Sequence, residues 1–165
     1  MLITLIAAVA DNRAIGKDNA LAWDMPADRE FFMNEIRGHD VVMGRRTYES
    51  HHEEDPIPYR KAIVVTRQTD YSAKAGFVCH SLEEAYNLGR QRGEEELFIL
   101  GGGGIYEMAI QDADRLIITE IHTTIEGDAF FPAINLEEWT EVSRKSFPAD
   151  SQHRFPYEFV RYERS

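Results

Sequence analysis

The stretch "FILGGGGIYEMAI", Phe98 to Ile110, sets four consecutive glycines between an apolar β-type run and a helix-like segment. A strand feeding a helix through glycine brings backbone close to a ligand, and the helix start offers an anion N–H groups that have no partner inside the helix. A plain strand-to-helix turn needs only one or two glycines, so Gly101 to Gly104 favour nucleotide contact over turn geometry alone. The spacing fits neither G-x-G-x-x-G with a ribose-binding acid nor G-x-x-x-x-G-K-[ST].

Outward from this unit, short β-rich runs recur: "LITLIAAVA", "HDVVMG", "KAIVVTR", "GFVCH", "EELFILGG", "RLIITEIH" and "YEFVRYER". Helix-like stretches lie between several of them, at Pro26 to Ile36, Ser81 to Arg92 and Ile105 to Asp112. Ser81 followed by Glu84 three positions later is a capping box for the second helix. Strands alternating with helices predict an α/β fold with a central, mostly parallel sheet flanked by helices. The last third carries strand candidates without an intervening helix, which predicts an antiparallel C-terminal hairpin at one edge. No repeat or long polar linker divides the chain, so one domain is expected over residues 1–165. The clearest irregular loop is "ESHHEEDPIPYR", where Pro56 and Pro58 argue against a helix or an interior strand.

Twenty-nine acidic against eighteen basic residues give a net charge of −11. A nucleic acid would meet long-range repulsion, so no nucleic-acid partner is expected. A small phosphorylated ligand remains compatible where basic residues cluster, because exposed charges beyond about 8 Å are largely screened at physiological salt. The apolar start "MLITLIAAVADNR" lacks a basic flank and is too short to span a bilayer, so it reads as a buried strand in a cytoplasmic protein without membrane contact. The lone Cys79 supplies no internal disulfide, in keeping with a reducing compartment.

Two more strand ends match the glycine turn. "VVMGRRTYES" places Gly44, Arg45, Arg46 and Thr47 after one strand, and "IVVTRQ" places Thr66 and Arg67 after another. Either pair alone is ordinary surface, but three such ends in one α/β sheet define a crevice at the carboxyl edge, where open sheets bind ligands. Asp28 is the odd residue of "NALAWDMPADREFF": Met25, Asp28, Phe32 and Ile36 trace one stripe of a helix opened by Pro26, so a carboxylate interrupts an apolar line. In the first turn it favours the helix dipole, yet on an inward face it needs partners, and a planar ligand with adjacent N–H donors is one. His51 and His52, among Glu53, Glu54 and Asp55, define no coordination geometry, and no metal is expected. Trp139 reads as packing.

Taken in order, "LIAAVADNRAIGKDNALAW", "MPADREFF", "VVMGRRTYES", "PIPYRKAIVVTR", "LGGGGIYE", "TEI" and "EGDAFFP" resemble the dihydrofolate reductase family over almost the whole chain. The resemblance implies NADPH-dependent reduction of 7,8-dihydrofolate to 5,6,7,8-tetrahydrofolate by a monomer, with hydride transfer to pterin C6 and protonation at N5. It implies that Asp28 holds the pterin edge and that Thr119 supports Asp28. Ile6, Ala7 and Leu100 then line the pterin pocket, Phe32 and Ile57 wall the aminobenzoyl part, and Arg60 clamps the glutamate α-carboxylate. For the cofactor it implies contacts from Ala8, Ile15 and Gly16 near the nicotinamide. Gly44, Arg45, Arg46 and Thr47 fall at the pyrophosphate with Gly101, Gly102, Gly103, Gly104 and Ile105, and Thr66 and Arg67 near the 2′-phosphate. It places a cis peptide between Gly101 and Gly102, and makes Ala10 to Asp24 a lid with Leu21 and Trp23 at its working end. Ala22 stands where many members carry proline, and Arg29 where a bulky apolar residue is common. Two other functions are weighed: the related NADPH-dependent pyrimidine reductase, which lacks the lid tryptophan combined with "PAD", and a non-catalytic nucleotide- or pterin-binding module.

Overall fold

The computed structural model describes residues 1–16, 25–50 and 57–165. The chain runs β1 (Leu2–Ala10), β2 (Ala14–Gly16), α1 (Pro26–Ile36), β3 (Asp40–Gly44), α2 (Arg45–Glu49), β4 (Lys61–Val65), β5 (Gly76–Cys79), α3 (Leu82–Gln91), β6 (Glu96–Ile99) and α4 (Gly103–Ala109), then β7 (Arg115–Ile121), β8 (Ala129–Phe130), β9 (Trp139–Phe147) and β10 (Tyr157–Arg164). Eight strands form one sheet in the order β5-β4-β3-β6-β1-β7-β10-β9. Every pairing from β5 across to β7 is parallel, and β7–β10 and β10–β9 are antiparallel. The expected α/β fold with an antiparallel C-terminal hairpin is therefore present.

The sheet buries both faces. Ile3, Leu5 and Val9 of β1 join the core that packs α3 and α4, whereas Ile6 joins Val41, Met43, Phe98 and Ile117 on the face covered by α1. That alternation is the period of two that a strand imposes. Ser81 caps α3 as its sequence predicts, its hydroxyl accepting from Glu84 N–H at 3.1 Å, while Glu84 reaches back to His80 N–H at 2.9 Å. The fourth helix departs from expectation, starting at Gly103 rather than Ile105, because Tyr106 N–H closes its first turn on Gly102 C=O at 2.9 Å. A small antiparallel pair of β2 with β8, not foreseen from the sequence, ties residues 14–16 to residues 129–130. Trp139 is buried as packing, 2% exposed, with Arg164 over its ring at 4.3 Å.

Register decides where the sheet opens. β1 pairs with β6 only from Leu2 to Leu5, but with β7 all the way from Thr4 to Ala10. Past Leu5, the edge of β1 that faced β6 has lost its strand partner, and the chain after β6 turns away through Leu100 and the glycines. The sheet splits there, between residues 6–10 on one rim and 100–105 on the other.

Candidate active site

The glycine turn is held by close backbone packing. Gly101 has φ +105°, and a Cβ there would sit 2.9 Å from Tyr106 Cε2, so both conformation and space select glycine. The Gly101–Gly102 peptide is cis. Gly101 C=O accepts from Gly44 N–H at 2.9 Å, locking the end of β6 to the end of β3. The Tyr106 hydroxyl, 5% exposed, donates to Ile6 C=O at 2.6 Å and bridges the split from the α4 side. Because Ile6 C=O faces the split, the two-residue period turns the backbone of Ala8 the same way. The Ala7 side chain instead packs on the α3 and α4 face.

Around this turn, Gly44 to Thr47, Thr66 with Arg67, and Gly101 to Ile105 all follow parallel strands and lie at one edge of the sheet. A Cβ on Gly102 would lie 3.5 Å from the Thr47 hydroxyl, and one on Gly104 would meet nothing within 4 Å, so the turn lies against α2 and is open at Gly104. Arg46 and Arg67 are exposed there, and Arg45 pairs with Glu49 at 2.9 Å. This gives an acidic chain guanidinium groups along one sheet edge, at the start of α2 and just after β4, suited to phosphate oxygens. Leu21 and Trp23 lie outside the described residues, as does most of the expected lid. Its first part is anchored: Asn12 Nδ2 donates to Ile125 C=O at 2.7 Å, and Phe131 N–H to Arg13 C=O at 2.8 Å.

Asp28 stands in the first turn of α1, on the stripe its spacing predicted. Met25 and Ile36 are buried at 4% and 0% exposure, and Phe32 packs with Ile6, Ile57 and Leu100. Burial pushes the Asp28 carboxyl above its usual range; the hydrogen bond from Thr119 and the neighbouring His153 oppose that rise. Thr119, 3% exposed, sits opposite Ala8 in the β1–β7 register, which sets acid, hydroxyl and split strand side by side. A carboxylate with a raised pKa, one side-chain donor among the described residues and an apolar wall is suited to a flat ligand that presents N–H groups.

Two site neighbours escaped the sequence reading. One is Tyr106, within "LGGGGIYE". His153, in the β9–β10 connection, accepts at Nε2 from Ala27 N–H, 3.1 Å, and its Nδ1 lies 2.8 Å from Asp150. It thereby caps the helix that carries Asp28, whose own N-cap residue, Met25, makes no side-chain cap. The tertiary contact leaves no local sequence signal. Arg60, by contrast, is found with its guanidinium on Asp40: Nε and Nη2 donate to the two carboxylate oxygens, each at 2.9 Å. Burial alone would raise the Asp40 carboxyl, but the bonds from Arg60 and then Arg92 outweigh it and hold it below the usual range.

Glu120, His122 and Glu158 also cluster closely enough to suggest metal ligands. Arg144 Nη1 lies 3.0 Å from Glu120 and 2.9 Å from Glu158, and His122 Nε2 is 2.6 Å from Glu158, so the group is satisfied as an ion-pair network.

The fold is an open α/β sheet of an enzyme class whose carboxyl edge suits a nucleotide, and the split beside β1 suits a flat ligand. Comparison with known proteins gives the family. The Dihydrofolate reductase family profile matches residues 2–164. Dihydrofolate reductase of Neisseria meningitidis serogroup B is 44% identical over 162 residues, covering 98% of each chain. That of Staphylococcus haemolyticus is 37% identical, covering 98% of this chain and 95% of the relative. A solved dihydrofolate reductase from Enterococcus faecalis, complexed with NADP(H) and RAB-propyl, superposes with a TM-score of 0.90 at 32% identity, over 99% of this chain and 96% of that one. The chain belongs to the dihydrofolate reductase family, the oxidoreductases that reduce dihydrofolate with NADPH.

Proposed function

We propose that this chain reduces 7,8-dihydrofolate with Asp28 as its substrate-anchoring carboxylate, and that the Asp28–Thr119 pair at the split in the sheet carries the reaction's geometry. The observation behind this reading is a partly buried acid in the first turn of α1, its pKa raised by burial, hydrogen-bonded to Thr119, which lies opposite Ala8 of β1. Its free lone pairs match the N3–H and 2-amino donors of a pterin. Ile6, Ala7 and Leu100 border the ring, Ala7 through its backbone. Phe32 and Ile57 share one apolar cluster and flank the aminobenzoyl part. Arg60 takes the glutamate α-carboxylate.

The strand ends suit NADPH. Gly44, Arg45, Arg46 and Thr47 with Gly101, Gly102, Gly103, Gly104 and Ile105 bind the pyrophosphate, and Thr66 and Arg67 the 2′-phosphate. Ala8, Ile15 and Gly16 border the nicotinamide, with Ala8 offering backbone groups. When bound, NADPH supplies the hydride delivered to pterin C6. Asp28 lies on the pyrimidine side of the pterin, away from N5, so it orients and polarises the ring while water brings the N5 proton. Leu21 and Trp23, expected at the working end of a lid, lie outside the described residues. The same reading makes the chain a cytoplasmic monomer with a single domain over residues 1–165, without nucleic-acid or membrane partners. No helix among the described residues is long and apolar enough to cross a membrane.

Loss of NADPH absorbance on addition of dihydrofolate tests the activity. Turnover is expected, and none from folded protein refutes it. Calorimetry with NADPH and folate separates a binding module from an enzyme.

A further inference from the structure

Asp40, at the start of β3, is 0% exposed, and its carboxylate is wrapped by two arginines. Arg60 meets both oxygens with a two-pronged fork. Arg92, at the end of α3, donates from Nε to Oδ2 at 2.6 Å and from Nη2 to Oδ1 at 3.3 Å, with its guanidinium 4.7 Å over Phe77. Asp40 N–H donates to Glu94 Oε1 at 2.9 Å, and Glu94 also lies 3.6 Å from Arg60 and 3.2 Å from His39 Nδ1. The backbone is fixed as well, since Arg60 N–H donates to His39 C=O at 2.7 Å and Gly38 N–H to Pro58 C=O at 3.0 Å.

This arrangement consumes one side of the Arg60 guanidinium and leaves the other. Nε is used by Asp40, and Nη2 by Asp40 and by Arg92 C=O at 3.2 Å. Nη1 has no partner among the described residues, and the side chain is 42% exposed. Ion pairs of this kind add little to stability once desolvation is counted, so a sealed carboxylate between two arginines calls for another role. A long, flexible side chain is here fixed in one orientation before any ligand arrives, which lowers the entropy lost on binding.

Position along the cleft says what the fixed guanidinium meets. Helix α1 rises about 1.5 Å per residue, so about 12 Å separate Asp28 from Ile36 at its end, and just beyond that end Gly38 and His39 bond to residues 58 and 60. Phe32 and Ile57 pack on the face between. Resting on the reading of Arg60 given above, we propose that Asp40 is a positioning residue that presents Arg60 to the α-carboxylate at the far end of the substrate, with Arg92 and Glu94 holding Asp40 in register. Asp40 thereby sets the preference for a glutamate-bearing pterin over one that lacks the glutamate.

The test compares kcat/KM for 7,8-dihydrofolate with that for 7,8-dihydropteroate, which carries no glutamate, in the wild type, Asp40→Asn, Arg60→Lys and the double variant. Asp40→Asn is expected to lower the dihydrofolate-to-dihydropteroate ratio about tenfold, through KM for dihydrofolate rather than kcat, the scale of one weakened charge-assisted contact. The double variant should show no lower ratio than Arg60→Lys, because both changes act through one group. A role confined to stability would move both substrates by the same factor, and that result overturns the proposal, as does an additive double variant. Should melting show that Asp40→Asn is unfolded, the charge-balanced pair Asp40→Asn with Arg92→Leu takes its place, and a wild-type ratio there overturns the proposal equally. A wild type that reduces neither substrate defeats the functional reading itself. One that reduces both with equal kcat/KM removes the Arg60 clamp, and this proposal with it, while the reductase reading stands.

Discussion

Replacing Gly101 by alanine tests the junction on which the cofactor edge depends. Two separate costs arise. At φ +105° an L-residue pays about 1–2 kcal/mol for its backbone conformation. The new methyl would also lie 2.9 Å from Tyr106 Cε2, 3.1 Å from Cζ and 3.2 Å from Oη. Tyr106 has little room to give: its ring centroid is 4.9 Å from that of Phe131, and its hydroxyl is tied to Ile6 C=O. Overpacking of a fixed ring costs about 1–3 kcal/mol. The sum is about 2–5 kcal/mol, and with about 2–4 °C of melting temperature per kcal/mol in a chain of this size, Tm should fall by about 4–20 °C. Moving Gly101 also disturbs its bond from Gly44 N–H, so NADPH affinity should weaken by about tenfold or more. Gly104→Ala is the stability control, since its methyl meets nothing within 4 Å, and its Tm should hold or rise. Calorimetric melting with NADPH titration reads both effects. A Gly101→Ala protein melting within 2 °C of wild type would refute the reasoning, on about 2–4 °C per kcal/mol.

Thr119→Val keeps the volume of a 3% exposed side chain while deleting the hydroxyl that supports Asp28, so the acid should rise further in pKa. We expect kcat/KM at neutral pH to fall about tenfold to a hundredfold, the worth of a hydrogen bond to a charged group. An unaltered pH profile would exclude the support role. His122 is raised above its ordinary pKa first by its hydrogen bond to Asp11, against its own desolvation, and then by Glu158. A histidine favoured as the cation in the folded state adds stability below the unfolded pKa of about 6.5 and loses it as pH rises through the folded value. Melting curves of wild type and His122→Gln should therefore converge above neutrality and separate below pH 6 or so, with a gap that shrinks in salt because the pair is partly exposed. A gap that widens with pH would reverse the sign and contradict the assignment.

How much was readable from residues depended on distance along the chain. The Asp28 stripe was legible because Met25, Phe32 and Ile36 are local to one helix, where a period of 3.6 carries the information. The carboxyl edge was legible for the same reason, as strand and glycine turn are contiguous in sequence. The hydroxyl on Asp28, the His153 cap and the Asp40–Arg60–Arg92 group join residues remote in sequence and have no local period. The split after Leu5 is a matter of register, which the apolar run "LITLIAAVA" cannot specify, since it reads alike on both faces. Strands β2 and β8, at three and two residues, are too short for alternation to register. Helix α4 starts at Gly103, ahead of the expected Ile105, because glycine disfavours helix interiors but costs little in a first turn whose N–H groups are unpaired anyway.

The role of Asp28 is the central claim, and its most direct measurement is the pH profile of kcat for wild type and Asp28→Asn with NADPH and dihydrofolate. The amide cannot take the pterin edge as an anion. The variant should therefore lose most of its turnover at neutral pH and regain part of it at lower pH, where the substrate itself is more protonated. Equal turnover of the two proteins across the range would contradict the account.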